Sequence, residues 1–350
     1  MRKIKKLFAG CLILVMFSTL YSPAFAANNS EDVAEVVLRE VTSLYADIYS
    51  ISDATATVSD VSVDDAGNKT FTVNASFHRT LKASSADEAP LIKELAVVAM
   101  QINDKSDLAA ANSYITARKA DIQRNYIGKP QDTNVELQVT LSSGMTAADI
   151  SIDNIEYVGM VQNLPVTSIS PNTGETLKLA AEYELEKAIA GSVVSTIMVQ
   201  KSNYDFEAGA EYARKYSCTS GSSQNHGCHN PAYTFTNNND CANFVSQCYK
   251  AAGIPEDSNW YPYSTYWSTT GNNGAGLRQF LTGIGFTRKT SQSSAVVGST
   301  VNWLNSSGGN VGHVGYIDQN DGSSATFCAH TKCRRSCPVG KENVDYYVPN

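Results

Sequence analysis

The 350-residue sequence predicts an α+β protein: an acidic α+β domain followed by a domain in which a cysteine-bearing helix packs on an antiparallel sheet. Three observations carry this. Residues 27–200 hold 24 Asp and Glu against 12 Lys and Arg, whereas residues 201–350 hold 10 against 11, so composition changes near residue 200. Seven of the eight cysteines lie beyond that change. In the second half, helical-period segments come first and short β-type runs joined by turn residues follow. The expected boundaries are 1–26 for an export signal, 27–200 for the acidic domain and 201–350 for the second domain, each long enough for its own core.

The signal is read from Arg2, Lys3, Lys5 and Lys6, an apolar run from Leu7 to Leu20, and Ala24-Phe25-Ala26 as a small-x-small cleavage site. Cys11 precedes most of the apolar run, so no lipid anchor is expected, and no later stretch is apolar enough for a membrane span. A secreted monomer follows as the expectation. Neither half carries a basic patch, which argues against a nucleic-acid partner.

In the acidic half, Asp32–Tyr49 has helical spacing (Val33, Val36, Val37, Val41, Leu44, Ile48), and β-rich alternation follows at 56–63 and 69–81. Asp64-Asp65-Ala66-Gly67-Asn68 reads as the hairpin turn between them, since no later glutamate completes a calcium loop. A helical region is expected over 87–126 with a break near Asp104. Strands are expected at 134–141, 150–162 and 177–184. His78 sits in a strand pattern and reads as structural. Nothing in this half carries chemistry.

The second half opens with a helix over Tyr204–Tyr216 and a loop rich in Asn, Ser, Gly and Cys. Next come a helix from Cys241 to Gly253, an aromatic segment Trp260–Trp267, a helix over 277–284, and strands near 299–304, 313–318 and 325–331. Asn237–Asp240 is a poor helix former with Asp240 at the capping position, which puts Cys241 in the first helical turn. Unpaired N–H groups and the helix dipole there favour the thiolate, so Cys241 is the candidate nucleophile; an inert core thiol is the competing reading. A thiolate hydrolase also needs an imidazole. His313 opens a strand after a glycine-rich turn and is the candidate acid–base. If Asn320-Asp321-Gly322 closes a hairpin, His330 lies on the neighbouring strand and can orient His313.

These segments resemble a known family. Tyr212-Ala213-Arg214-Lys215-Tyr216, Asn230-Pro231-Ala232-Tyr233, Asp240-Cys241-Ala242-Asn243-Phe244-Val245-Ser246-Gln247, His313-Val314-Gly315-Tyr316-Ile317 and Ala329-His330-Thr331 are similar to the motifs of the "putative amidase domain" family of exported bacterial proteins. Ala242 stands where that family usually has threonine. The same order of motifs recurs in NlpC-type cell-wall peptidases. The resemblance covers about 204–348 and implies a papain-like fold, with Cys241 as nucleophile, His313 as base and acid, and His330 as orienting residue. It also implies an oxyanion donor in the Cys241 N–H, joined by the 237–240 loop or Tyr233, with Asp240 supporting the helix start. Peptidoglycan stem peptides, or another peptide, are the expected substrate, and the aromatic segment is either core or a cleft wall.

Seven mature cysteines leave at least one thiol unpaired. A Cys218–Cys228 bond and pairing among Cys328, Cys333 and Cys337 are expected, with no metal and no cofactor. Two other readings stand beside the hydrolase: a catalytically idle wall-binding module, and a zinc protein using the Cys/His clusters.

Overall fold

The computed structural model describes residues 30–191, 204–219, 228–235, 239–271, 275–305 and 307–349, so the proposed signal lies outside the described residues. In the first half, helix α1 (Ser30–Ser43) is followed by strands β1 (Tyr49–Val63) and β2 (Lys69–Leu81), helices α2 (Pro90–Ala99) and α3 (Lys105–Asn125), then β3 (Gln131–Leu141), β4 (Ile155–Val158), β5 (Asn163–Pro165) and helix α4 (Gly174–Ile189). The strands form one antiparallel sheet in chain order. Strict alternation along β2 turns Phe71, Val73, Ala75 and Phe77 onto the helices, where they share a core with Val37, Leu95 and Leu185.

Local chemistry accounts for the turns. Asp64 accepts hydrogen bonds from the Asn68 side-chain amide and from the N–H groups of Asn68 and Ala66, which fixes the hairpin and holds its carboxyl below the ordinary range. Asp104 caps α3 through Ser106 and Asp107 and so divides the expected long helix in two. One expectation fails: 177–184 is helical, not a strand. Leu177, Ala181, Leu185 and Ala188 are the buried positions of α4, and their spacing is that of a helix face. The expected strand at 150–162 is broken by a single turn at Ile152–Asn154 and reduced to β4.

The second half holds α5 (Phe206–Lys215), α6 (Cys241–Ala251), α7 (Thr265–Ser268), α8 (Leu277–Gly283) and strands β6 (Thr287–Lys289), β7 (Thr300–Leu304), β8 (Asn310–Asn320), β9 (Ala325–Ala329), β10 (Arg334–Pro338) and β11 (Val344–Val348). The sheet order is β10-β9-β8-β7-β11-β6. Helices and two antiparallel sheets make the chain α+β, with helices α5 and α6 on one face of the second sheet. Val314, Tyr316 and Cys328 face α6, while Val301, Trp303, Ile317 and Phe327 form a separate core on the reverse face. Gly209 permits the helices to close on the sheet: a Cβ there would lie 2.3 Å from Tyr316 Oη and 2.9 Å from Cys248 O.

The halves share polar and apolar contacts. Arg334 of β10 pairs with Glu136 of β3 at 3.0 Å, and Asn134 Nδ2 donates to Arg335 O at 2.8 Å. Lys332 Nζ donates to the carbonyls of Gly159 and Met160. The β8–β9 turn, with Gly322 at φ +90°, packs against Leu91 of α2. No helix among the described residues is long and apolar enough to cross a membrane.

Candidate active site

Cys241 is the first residue of α6 and is 2% exposed. The N–H groups of Cys241, Ala242 and Val314 point at its sulfur, and the thiol donates to Gly312 O at 3.5 Å. The N–H groups lower the thiol pKa as the helix-start argument expects, but burial acts more strongly and the Asp240 charge adds to it. The thiol is pushed up to about 11. In this arrangement Cys241 is a protonated, covered thiol.

Asp240 does not cap α6 with its carboxylate. Its Oδ2 lies 2.6 Å from His330 Nδ1, and its Oδ1 accepts from Asn243 Nδ2 at 2.8 Å. The other ring nitrogen of His330, Nε2, lies 2.6 Å from Tyr216 O. A carbonyl can only accept, so Nε2 is the donor to Tyr216 O, while Nδ1 faces the Asp240 carboxylate. The ring also stacks on Phe244 at 4.0 Å between centroids. Asp240 and His330 are 1% and 3% exposed. Immediately after His330, Thr331 adopts φ +77°, a conformation β-branched residues rarely take, and its hydroxyl accepts from the Asp240 N–H at 2.9 Å. A residue held in such a conformation costs about 1–3 kcal/mol.

Cys241 and His313 are not brought together. Val314 shares the α6-side core with Cys241, and alternation along β8 turns His313 to the reverse face, where its ring lies 5.1 Å from that of Trp303. His313 Nε2 is shielded from water and makes no hydrogen bond among the described residues. Burial, assisted by Lys332 and Arg334, holds its pKa down at about 3, so it is neutral at physiological pH. Nor does His330 orient His313, because both of its nitrogens are engaged elsewhere. The register explains this: Tyr316 pairs with Cys328, which places His330 beyond the end of β9 and on the α6 side.

The remaining motif residues lock the helix. Asn243 Oδ1 accepts from Trp267 Nε1 at 2.6 Å, Ser246 Oγ accepts from Trp260 Nε1 at 3.2 Å, and Gln247 Oε1 accepts from Tyr212 Oη at 2.7 Å. Trp260 and Trp267 are therefore core, fully buried with rings 4.7 Å apart, and of that segment's aromatic residues Tyr261 and Tyr263 are the exposed ones. Tyr233 stacks on Trp267 at 6.0 Å, and burial raises its phenol pKa. Asn237 and Asn238 lie outside the described residues. A cavity of about 640 Å³ between α3 and α5, lined in part by Asp121, Arg124 and Phe206, borders none of Cys241, His313 or His330.

Sequence reasoning missed the Asp240–His330 pair. The signal was present, since a buried acid directly before a candidate nucleophile asks for a partner, but helix capping was the more familiar use of that position. The Cys218–Cys228 bond forms as expected. Cys328, Cys333 and Cys337 remain free and do not pair with one another. Cys218, Cys228 and Cys333 place their sulfurs within 4.8 Å of one another, but two of the three share a bond and are not available as thiolate ligands.

No curated protein and no solved structure matches the chain. The half that holds Asp240, Cys241, His313 and His330 does match a family model: residues 203–346 correspond to the family described as "Putative amidase domain", which supports amide hydrolysis as the activity class of this segment.

Proposed function

We propose that the second half is a secreted, cysteine-dependent amidohydrolase that cleaves an amide bond, with peptidoglycan stem peptides as first substrate. The observation that carries the reading is the buried Asp240–His330 pair set directly against the helix turn that begins with Cys241. In this reading Cys241 attacks the carbonyl and forms an acyl-thioester, and water releases the acid. The Cys241 and Ala242 N–H groups, already aimed at the sulfur, stabilise the anion at that end of the helix. His330, held by Asp240 at Nδ1, leaves Tyr216 O and turns Nε2 toward the sulfur as the site is uncovered. With the ring proton held at Nδ1 by Asp240, the freed Nε2 takes the Cys241 proton as the thiol attacks and returns it to the leaving amine. His313 faces the reverse core, and the base role expected for it passes to His330.

The test compares Cys241→Ala, His330→Asn and His313→Asn in release of fragments from purified cell walls, read by mass analysis, alongside thiol labelling. Loss of hydrolysis in the first two with His313→Asn within tenfold of the unmodified protein is the expected result. Hydrolysis surviving in Cys241→Ala removes the cysteine mechanism, and loss confined to His313→Asn restores His313 as the base.

A further inference from the structure

Cys333, in the turn between β9 and β10, is 6% exposed and lies with its Sγ 3.6 Å from Cys228 Sγ. The Cys218 N–H donates to Cys333 Sγ at 3.0 Å. A free thiol thus touches one sulfur of a disulfide while the backbone at the other sulfur offers it a hydrogen bond. We propose that Cys333 is a resolving thiol that exchanges with the Cys218–Cys228 disulfide, so that Cys228 is tied alternately to Cys218 and to Cys333.

The step balances without an oxidant. Cys333 gives its proton to solvent, and its thiolate attacks Cys228 Sγ. The Cys228–Cys333 bond forms as the Cys218–Cys228 bond breaks, and the electron pair leaves on Cys218 Sγ, which takes up a proton. The sulfurs need to close from 3.6 Å to about 2.0 Å, a side-chain movement. The Cys218 N–H steadies the attacking anion. Burial pushes the Cys333 thiol up to about 11, so exchange is slow at neutral pH and rises about tenfold per pH unit as the thiolate fraction grows. The device adjoins both segments that hold His330. Cys333 follows it by three residues, and Cys218 follows by two the Tyr216 whose carbonyl holds Nε2. On the amidase reading, exchange therefore changes what clamps the acid–base residue; the exchange itself does not depend on that reading.

The test uses the full chain. Unmodified protein is held at pH 7, 8, 9 and 10 with a trace of small thiol, quenched in acid, unfolded, alkylated and mapped by peptide mass analysis. Both Cys218–Cys228 and Cys228–Cys333 peptides are expected, with the rate of approach to their ratio rising about tenfold per pH unit below the Cys333 pKa. Cys333→Ser is expected to yield the first peptide alone. Cys218→Ser, treated with glutathione disulfide as oxidant, is expected to yield the second. Cys218–Cys228 as the sole pairing of unmodified protein at every pH, with Cys228 and Cys333 of Cys218→Ser both recovered alkylated, overturns the proposal. This readout involves no hydrolysis, so it stands or falls apart from the amidase activity.

Discussion

Replacing Asp240 by Asn keeps the side-chain shape and the Oδ1 bond to Asn243 but puts an amide donor against His330 Nδ1, where the carboxylate accepts at 2.6 Å. Two consequences follow. A hydrogen bond to a charged group contributes about 1.5–3 kcal/mol, and stranding a buried charge costs about 3–5 kcal/mol. The ring can shed its Nδ1 proton and accept from the new amide, so the lower end applies, about 2 kcal/mol. For a cooperative unit of about 150–250 residues that is a fall in Tm of roughly 4–8 °C. Because the pair is sealed from solvent, 1 M salt leaves this difference nearly unchanged. The second consequence is chemical: a ring deprotonated at Nδ1 keeps its proton at Nε2 and cannot take one from the thiol, so hydrolysis falls by about 10³ or more. Thermal unfolding by circular dichroism and fragment release from cell walls measure the two. An Asp240→Asn protein that melts within about 1 °C of the parent, or hydrolyses within tenfold of it, refutes the pairing or its use.

Three other perturbations test separate parts of the description. His313 is held neutral at a pKa near 3 against an ordinary 6.5, so the unfolded chain takes up its proton first as the solution is acidified. Stability is then full above pH 6.5 and declines toward pH 3, and His313→Phe flattens that decline in urea titrations across the window. Cys241 is held near 11 against an ordinary 9.0, so the folded state keeps a proton that the unfolded state releases between those values. Stability falls across this interval by about 3 kcal/mol from this group, at about 1.36 kcal/mol per pH unit. Alkylation of Cys241 by iodoacetamide should accelerate about tenfold per pH unit up to pH 10; a flat profile contradicts the covered thiol. Gly209→Ala introduces a carbon 2.3 Å from Tyr316 Oη and should cost about 1–3 kcal/mol in denaturant unfolding, whereas Gly128→Ala meets no atom within 4 Å and reports backbone strain alone.

The fold was largely legible because period and punctuation agree in most segments. The β2 alternation, the Asp64 turn, the Asp104 cap and the helix beginning at Cys241 each rest on contacts a few residues apart. The strand expected at 177–184 failed because its apolar positions were matched to the wrong period. The candidate site was legible in its members but not in its pairings. Which face His313 takes and where His330 falls depend on the β8–β9 register and on which face of β8 meets α6, quantities set by packing between segments some seventy to ninety residues apart. Likewise, the upward push on the Cys241 thiol comes from its burial in the folded domain, which the favourable helix start alone cannot reveal.

Lys332 gives the acidic half a purpose that its own residues do not advertise. The ammonium bonded to Gly159 O and Met160 O lies two residues past His330, and the neighbouring Arg334 is neutralised by Glu136. Excising residues 30–191 would strip the half-buried Lys332 and the buried Arg334 of their acceptors beside the turn that follows His330. The N-terminal half thus braces the turn after His330, and a shortened protein built from residues 204–349 alone is expected to lose that alignment before it loses its sheet.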